Sequence, residues 1–442
     1  MTLISQLVFL AVLAVSGYFI GRRILQIRKN ILLGKEEDRT DQPMERLKTM
    51  LLVAFGQKKM FKRPIPAFLH LLIYVGFLLI NLEVLEIVLD GILGTHRLFA
   101  PVLGSFYPVL INFFEFLAIG VIFSCVVFFI RRHVLKLSRF TKIEMKGWPT
   151  LDATLILVIE TVLMFAILAM NGADQVLQSR GVAHYPLTGE FFFSGFFVPL
   201  FSGLSDNTLI IIERASWWGH IVGILAFAFY ITYSKHLHIF LAFPNTYFSN
   251  LKPKGEIKNM DNVTNEVKSM LGMPADPPPA EIPRFGAKDI NDLSWKNLMD
   301  AYACTECGRC TDNCPANMTG KALSPRAIMM KTRDRAEEVG MSISKGGKGL
   351  EDGKSLYGDY INKEELLACT TCNACVEACP ITIDPLSIIL EMRRYMAMEE
   401  SSTPQSWNAM FQNVETSFAP WKFPPTDRFS WANDLKTEAE NK

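Results

Sequence analysis

The sequence has few charged residues and no block of basic residues. Charged side chains make up 20% of the 442 residues, against roughly 25% in an ordinary soluble protein, and the formal net charge is +1. Proteins that bind nucleic acid concentrate lysine and arginine in patches. Neither such a patch nor a low-complexity tract occurs here, so the sequence gives no reason to expect nucleic acid as a partner.

Cysteine is almost absent outside one repeated motif. Eight of the nine cysteines lie in two copies of CxxCxxCxxxCP, which begin at Cys304 and Cys369 with a constant offset of 65 residues. The ninth, Cys125, stands alone in an apolar run, where we expect it to pack. Nothing around the two motifs resembles a substrate pocket. The motifs therefore indicate electron transfer and not a catalytic centre.

Long apolar runs fill the first half of the chain. They approach or exceed the roughly 20 residues that a helix needs to cross a bilayer, and they show little of the polar stripe that a buried soluble helix would need. We therefore predict a transmembrane domain over residues 1–245. Its five helices are predicted near residues 3–20, 67–89, 106–130, 151–170 and 216–243.

Lysine and arginine cluster on one side of these helices. They follow the first and third runs and precede the second, as Arg22, Arg131 and Lys58 do, and positively charged loops stay in the cytoplasm. The N-terminus is therefore predicted outside and the C-terminus inside, in the cytoplasmic membrane of a prokaryote. Because the charges follow the first run and no cleavage site is visible, that run is expected to be an anchor.

Three histidines stand out in the membrane half. His70 is predicted near the inner end of the second helix, whereas His220 and His238 lie at the outer and inner ends of the fifth. A haem between helices needs two neutral imidazoles at one depth, so His70 and His238 are the candidate ligands of a haem b. His236 competes with His238, because two residues turn a helix by about 200° and only one of them can face the site.

Acidic residues mark the outer part of the second helix. Glu83 and Glu86 share one of its faces, and His220 is predicted at a matching depth. Ionisable groups at membrane depth are costly and usually functional. These three residues are therefore candidates for a quinone or proton site, or for a second haem site. The alternative is that the acids lie at the outer interface.

Each cysteine motif has the ligand spacing of an iron–sulfur cluster. Three cysteines reach three corners of one cube, and the fourth, which precedes proline, reaches the other cube. Zinc sites usually show two separated ligand pairs, and disulfides are disfavoured in the cytoplasm. Two [4Fe–4S] clusters are therefore predicted. The first has Cys304, Cys307, Cys310 and Cys379 as ligands, and the second has Cys369, Cys372, Cys375 and Cys314.

The polar half of the chain is predicted to have three parts. Residues 246–285 form a proline-rich linker, residues 286–400 form an α-helical 2[4Fe–4S] ferredoxin-type domain, and residues 401–442 form an aromatic tail that we expect to dock on a partner. The predicted fold class is therefore mainly α. A five-helix transmembrane bundle is followed by a ferredoxin domain on the cytoplasmic side.

The membrane half resembles the haem b-binding gamma subunit of respiratory nitrate reductase. The resemblance rests on the five helices and on HIVGILAFAFYITYSKHLHIF at residues 220–240, where two histidines are 18 residues apart, as in that family. It implies His220, His238 and His70 as haem ligands. Ile80 stands where that family has its second histidine on the second helix, so the resemblance supports the inner haem and not the outer one.

The polar half resembles the helical ferredoxin domains of heterodisulfide reductase, of the anaerobic glycerol-3-phosphate dehydrogenase iron–sulfur subunit and of electron-transfer-flavoprotein:menaquinone oxidoreductases. The motifs CTECGRCTDNCP and CTTCNACVEACP and the tail NVETSFAPWKFPPTDRFSWANDL carry this resemblance. Members of the last group often continue into cysteine-rich CCG domains, which this sequence lacks. The resemblance therefore implies a separate CCG-domain iron–sulfur subunit, and electron-transfer flavoprotein or other redox subunits, as partners.

These patterns together predict an electron-transfer subunit of a quinone-linked oxidoreductase, anchored in the membrane, whose substrate-level catalytic site lies on a partner. Electrons would pass between a cytoplasmic partner, two [4Fe–4S] clusters, haem b and menaquinone or another quinone. Two alternatives stay open. The chain could anchor a docking ferredoxin domain without its own haem, or it could serve a complex like heterodisulfide or thiol reductase.

Overall fold

The computed structural model describes residues 3–277, 284–433 and 435. Within these residues the chain forms helices and no β-strand, and its only strand-like pairings are two isolated bridges. The predicted mainly α class is confirmed. Residues 278–283 of the predicted linker and the end of the predicted tail lie outside the described residues.

Within the described residues, five helices are long and apolar enough to cross a membrane, which confirms the predicted number. The first four are longer than their predicted apolar runs, and proline occupies the first turn of the second and fourth helices, where its missing N–H costs no hydrogen bond. The bounds of the five membrane helices are Leu3–Ile31, Pro64–Leu93, Ala100–Val134, Trp148–Ser179 and Asp206–Ile231.

The membrane helices expose apolar side chains on their outer surface. The fourth helix packs against the third and the fifth, and the third packs against the second. Phe9, Ile167 and Trp217 are buried between helices, whereas Phe116 and Phe123 of the third helix are each 55% exposed. Exposed apolar surface of this extent is unfavourable in water, so the bundle is suited to a lipid environment.

The fifth membrane helix ends at Ile231, before the predicted end at residue 243. A carboxylate of the fourth helix, Asp152, accepts hydrogen bonds from the Ser234 hydroxyl at 2.6 Å and from the Lys235 amide at 3.1 Å. These bonds turn the chain, and a separate helix, His238–Tyr247, follows. His220 and His238 therefore lie on two helices, so the prediction that both belong to the fifth membrane helix is wrong.

The chain divides into two compact units. The first comprises Met1–Lys258 and Asp289–Ile388, and the second comprises Asn259–Lys288 and Ile389–Lys442. The membrane helices and both cysteine motifs thus belong to one unit. Further helices of the first unit are Pro43–Met50, Ala100–Leu103 at the start of the third membrane helix, Ser138–Thr141, Val198–Phe201, His238–Tyr247, Trp295–Ala303, Arg309–Asp312, Pro315–Met318, Pro325–Ser344, Lys363–Leu367 and Ala374–Ala378.

The second unit contains the helices Asp261–Met270 and Gln405–Ser417, and the helix Pro385–Arg394 begins in the first unit and ends in the second. The helix Gln405–Ser417 has no buried residue. Apolar side chains of the tail are exposed, among them those of Phe411, Trp421 and Trp431. The docking role of this tail stays a prediction.

Buried polar contacts join the first membrane helix to the ferredoxin region. At the end of that helix, Asn30 donates a hydrogen bond to the Tyr302 hydroxyl at 2.9 Å, and Arg23 forms an ion pair with Glu337 at 2.8 Å. Tyr302 lies on Trp295–Ala303 and Glu337 on Pro325–Ser344, two helices that pack together. The C-terminal end of the first membrane helix therefore packs against the helices Trp295–Ala303 and Pro325–Ser344 of the ferredoxin region.

Candidate redox centres

The two cysteine motifs have the same backbone geometry. Positive φ angles occur at equivalent positions, namely 55° at Glu306 and 56° at Thr371, and 75° at Gly308 and 58° at Asn373. A short helix follows in both copies, Arg309–Asp312 in the first and Ala374–Ala378 in the second. The repeat seen in the sequence is therefore also a repeat of structure.

Thiols of the two motifs come together at the first predicted cluster. Burial raises the pKa of Cys304 and of Cys379 to about 12, and the charge of Cys307 acts on both thiols. Cys379 of the second motif thus lies beside the cysteines of the first. Four such thiols are unfavourable as free thiolates, because burial and mutual repulsion oppose their charge. Positively charged iron relieves this repulsion, so these residues fit a cluster.

The reciprocal arrangement occurs at the second predicted cluster. Burial raises the pKa of Cys375 to about 12, and Asp384, Cys369 and Cys314 add to the effect. Cys314 of the first motif therefore lies near the cysteines of the second. Cys372 is exposed, so this centre is closer to the protein surface than the first.

Backbone amides point at two of the sulfur atoms. Ile383 N donates a hydrogen bond to Cys379 Sγ at 3.3 Å, and Thr371 N donates one to Cys369 Sγ at 3.4 Å. Hydrogen bonds of this kind tune cluster potentials. Among the described residues, no three His, Cys, Asp or Glu side chains are placed to hold a single metal ion, whereas the thiolates of a cubane bind different irons and need not converge on one point.

His70 and His238 face each other although 168 residues separate them in the sequence. Their ring centres are 6.3 Å apart, and the rings are inclined by 42°. A metal–nitrogen bond is about 2 Å long and the ring centre lies about 1 Å further out, so two imidazoles on opposite sides of a haem iron have centres roughly 6 Å apart. The pair therefore has the spacing that a haem with two histidine ligands needs.

Each ring of this pair has a hydrogen-bond acceptor at Nδ1. The side chain of Gln57 offers Oε1 to His70 at 3.2 Å, and the backbone carbonyl of Lys235 accepts from His238 at 3.1 Å. A proton on Nδ1 leaves Nε2 free to bind a metal, as is usual for ligating histidines. Burial lowers the pKa of His238 to about 3, so its ring is neutral at physiological pH.

His236, the competing ligand, has a different partner. Its Nε2 lies 3.2 Å from Glu160 of the fourth membrane helix, and its ring packs at 5.6 Å from that of Phe227. An imidazole with a carboxylate at Nε2 has its metal-binding nitrogen occupied. The geometry thus favours His238 over His236 as the second ring of the pair.

His220 is fully buried between the fourth and fifth membrane helices. The Leu163 carbonyl lies 2.9 Å from its Nδ1, and its Nε2 has no hydrogen-bond partner. A neutral ring with a free Nε2 could bind a metal or a polar ligand. Within the described residues, no hydrogen bond or ion pair joins His220 to Glu83 or Glu86, and their shared site stays a prediction.

The acidic face of the second membrane helix contacts a buried arginine that the sequence did not single out. Arg97 is 5% exposed; it forms an ion pair with Asp174 at 2.8 Å and donates to Asn171 at 2.6 Å. Its Nη1 lies 3.9 Å from Glu83 Oε1, an atom that has no hydrogen-bond partner. Glu86 accepts from the Tyr107 hydroxyl at 2.9 Å, and Tyr107 is also bonded to Arg97.

This network had only a weak signal in the sequence. Arg97 follows the second helix in a loop where few basic residues are expected, and Asn171 and Asp174 are polar residues at the end of an otherwise apolar run. Glu83 and Glu86 are each 3% exposed. The predicted acids are therefore buried within the protein, and their role at a quinone, proton or second haem site stays a prediction.

Charged side chains of both cysteine motifs contact the segment before the second membrane helix, and in the second motif Glu377 pairs with Lys62. Arg309, which precedes Cys310, donates to the carbonyls of Lys59 and Met60 at 3.4 and 3.3 Å, and Asp312 pairs with Arg63 at 3.1 Å. Ala374 occupies the position of Arg309 in the second motif. Comparing the two motifs residue by residue could have identified this difference from sequence alone.

Comparison with known proteins agrees with this architecture. A family model described as a 4Fe-4S dicluster domain matches residues 303–383. The chain is 27% identical over 460 aligned residues to the "Probable iron-sulfur-binding oxidoreductase FadF" of Bacillus subtilis, covering 97% of this chain and 61% of the relative. It is also 27% identical to the "EtfAB:quinone oxidoreductase" of Syntrophomonas wolfei, covering 91% of this chain and 56% of the relative.

A shorter match includes a protein named for its membrane anchor. The "Probable membrane-anchored ferredoxin" of Chromohalobacter salexigens is 32% identical over 166 residues, which cover 34% of this chain and 24% of that protein. The chain spans about three fifths of the length of the first two relatives. No solved structure matches the chain. The homologues of this chain are thus iron–sulfur oxidoreductases, and the chain itself carries a 4Fe-4S dicluster domain together with five membrane-type helices.

Proposed function

We propose that the chain is a membrane electron-transfer subunit that passes electrons between a redox partner, two [4Fe–4S] clusters, one haem b and a quinone. The spacing of His70 and His238 carries this proposal, because two imidazole rings with centres 6.3 Å apart are at the distance that a haem with two histidine ligands would require. The relatives named as iron–sulfur oxidoreductase and EtfAB:quinone oxidoreductase support the same class of reaction. Haem and clusters supply one-electron chemistry when they are bound.

The ligand assignments of the proposal follow the geometry. The first cluster would be held by Cys304, Cys307, Cys310 and Cys379. The second would be held by Cys369, Cys372, Cys375 and Cys314. The loop that follows Gln57 is bonded through the Lys59 carbonyl to Arg309, beside Cys310, while Gln57 itself holds His70. On this proposal the first cluster would be the one next to the haem. The exposed Cys372 supports a second cluster on the side from which a partner would deliver or accept electrons.

The quinone is proposed to react in the membrane half, where reduction takes up two protons with two electrons. Buried Glu83 and Glu86 beside Arg97 form a polar group that could carry those protons, since Glu83 Oε1 has no hydrogen-bond partner. His220 would contact the quinone or its proton route through its free Nε2. The proposed small-molecule partner is menaquinone or another quinone. The proposed protein partners are a CCG-domain subunit and an electron-transfer flavoprotein. The ferredoxin domain is proposed to lie on the cytoplasmic side.

Haem content tests the proposal directly. The purified protein should show a dithionite-reducible haem b spectrum and about eight iron atoms in clusters, as two cubanes require. His70→Ala and His238→Ala should each abolish the haem spectrum while the cluster signals persist, whereas His133→Ala, outside the pair, should keep both. A wild-type protein with clusters and no haem would instead support an anchor for a docking ferredoxin domain.

A further inference from the structure

The helix His238–Tyr247 contacts the first cluster region at both ends. Before its first residue, Lys235 pairs through its side chain with Glu306, which lies between Cys304 and Cys307. Near its last residue, Asn245 donates a hydrogen bond to the carbonyl of Ile381 at 3.0 Å, two residues after Cys379. One short helix is thus tied to both loops that supply the predicted ligands of the first cluster.

Lys235 occupies a special position in this arrangement. Its backbone carbonyl accepts the hydrogen bond from Nδ1 of His238 at 3.1 Å, while its ammonium group binds Glu306. The same residue therefore orients a predicted haem ligand and contacts the loop of the first cluster. Asp152 accepts a hydrogen bond from the Lys235 amide at 3.1 Å, and the Pro149 carbonyl accepts one from the Lys235 ammonium at 2.6 Å. Together with Glu306, these contacts hold Lys235 in place.

The Lys235–Glu306 pair is buried, so the desolvation cost of its charges and their effect on a nearby redox centre are both large. Lys235 is 8% exposed and Glu306 is 4% exposed, and Arg333 gives Glu306 a second cation at 2.9 Å. Buried ion pairs contribute little net stability, because desolvation offsets their attraction. A buried charge beside a redox centre nevertheless changes the free energy of adding an electron, since a low-dielectric interior screens it poorly.

The second cysteine motif shows that the cluster loop itself does not require this acid. Thr371 stands at the position of Glu306 with the same left-handed backbone, φ 56° against 55°. A glutamate at such a φ is uncommon, and the equivalent threonine carries no charge. Glu306 is therefore specific to the cluster that lies next to the membrane bundle.

We propose that Lys235 and Glu306 are positioning residues that hold the first cluster and the His238 ring in a fixed arrangement and set the potential of that cluster. This inference rests on the proposed function, since it needs both centres. When both groups are bound, one electron would move between the cluster and the haem, so that one centre would be oxidised as the other is reduced and no atom would be transferred. Lys235 and Glu306 remain bonded throughout and are not ligands.

Redox titration of the full-length holoprotein tests the inference. Lys235→Met removes a cation and should lower the midpoint potential of the first cluster, whereas Glu306→Gln removes an anion and should raise it. Each shift should correspond to at least a tenfold change in the reduction equilibrium, about 59 mV for one electron. Lys235→Met should also change the low-spin haem electron paramagnetic resonance (EPR) spectrum through His238, and Lys235→Arg should restore both quantities towards wild type.

Lys48→Met is the matched control, because Lys48 pairs with Glu45 at the surface and the variant loses the same charge. Its potentials should match those of the wild type. If the Lys235→Met protein lost its haem, Glu306→Gln and Lys235→Arg would still carry the test. Equal potentials and spectra in all variants that retain both centres would overturn the inference, whereas a wild-type protein without haem would overturn the proposed function itself.

Discussion

Single residues that lie far apart in the sequence form both kinds of candidate redox centre. Cys379 lies beside the first motif and Cys314 beside the second, as their effects on neighbouring thiols indicate. His70 and His238 come from two helices and meet at 6.3 Å. If the ligation is crossed as proposed, each cluster depends on both motifs, so the loss of one cysteine should affect a cluster formed mainly by the other motif.

Cysteine variants test the crossed ligation. Cys379→Ser should remove or convert the cluster of Cys304, Cys307 and Cys310, and Cys314→Ser should do the same to the other cluster, because each loses its fourth ligand. EPR spectra of the reduced proteins, with iron analysis, would measure the loss. Cys125→Ser, outside the motifs, should keep both clusters; loss of the second cluster in Cys379→Ser would contradict the assignment.

Gln57 offers a test of the proposed haem site without touching a ligand. Gln57→Leu removes the acceptor for Nδ1 of His70, which is 3.2 Å away, and should weaken haem binding by about 10–100-fold, as changes to outer-shell partners of metal ligands do. The ratio of haem to protein after purification, and after titration with haem, measures this effect. The exposed Gln412→Leu should retain full haem; a Gln57→Leu protein that also retained it would contradict the role of Gln57.

Local patterns predict the candidate ligands. Cysteine spacing predicts which thiols share a cube, and depth in the membrane predicts the pair His70 and His238; both ligand sets stay predictions. Arg97, Lys235 and Glu306 were not foreseen, because their roles depend on contacts with residues more than 70 positions away. Such long-range pairs have no periodicity that could be read along the chain.

At the scale of elements, the fifth membrane helix and the first cysteine motif differ most from what a local pattern predicts. The apolar run continues to Phe243, yet Asp152 bonds to Ser234 and Lys235 and turns the chain after Ile231. A tertiary contact therefore overrides the hydrophobic pattern. This turn creates the separate helix that carries His238.

The first cysteine motif also packs more tightly than its repeat. A Cβ atom at Gly308 would lie 2.5 Å from Nη1 of the fully buried Arg326 and 3.3 Å from Cβ of Arg139. Arg326 donates to the Arg139 carbonyl at 2.7 Å and pairs with Glu144 at 2.7 Å. Glycine is required here for close approach as well as for its positive φ, whereas Asn373 fills the equivalent position.

Exchanging the residues of the two motifs tests this asymmetry. Gly308→Asn should destabilise the folded holoprotein by about 1–3 kcal/mol, the usual cost of overpacking, because the new side chain must displace Arg326. The converse change, Asn373→Gly, should cost less than ~1 kcal/mol, since glycine adopts the same φ. Thermal unfolding of both variants measures the difference, and equal losses would show that the two motifs have equivalent surroundings.

At the scale of the whole molecule, membrane helices and dicluster region belong to one compact unit. Charged contacts reach both motifs, while the second exposes Cys372. On the proposed function, the accessible Cys372 would mark the centre nearer a partner, and His70 and His238 would mark the centre in the membrane half. The number of helices and the dicluster domain can be predicted from hydropathy and spacing, whereas the contacts around each motif depend on the tertiary structure.

The central claim is that a haem held by His70 and His238 carries electrons between the clusters and a quinone. The most direct measurement is anaerobic reoxidation of the dithionite-reduced protein, freed of excess reductant, by a soluble menaquinone analogue, followed by the haem optical spectrum and the cluster EPR signals. In the wild type, both haem and clusters should reoxidise, and in His238→Ala the clusters should stay reduced. Clusters that reoxidised at the wild-type rate in His238→Ala would contradict the account.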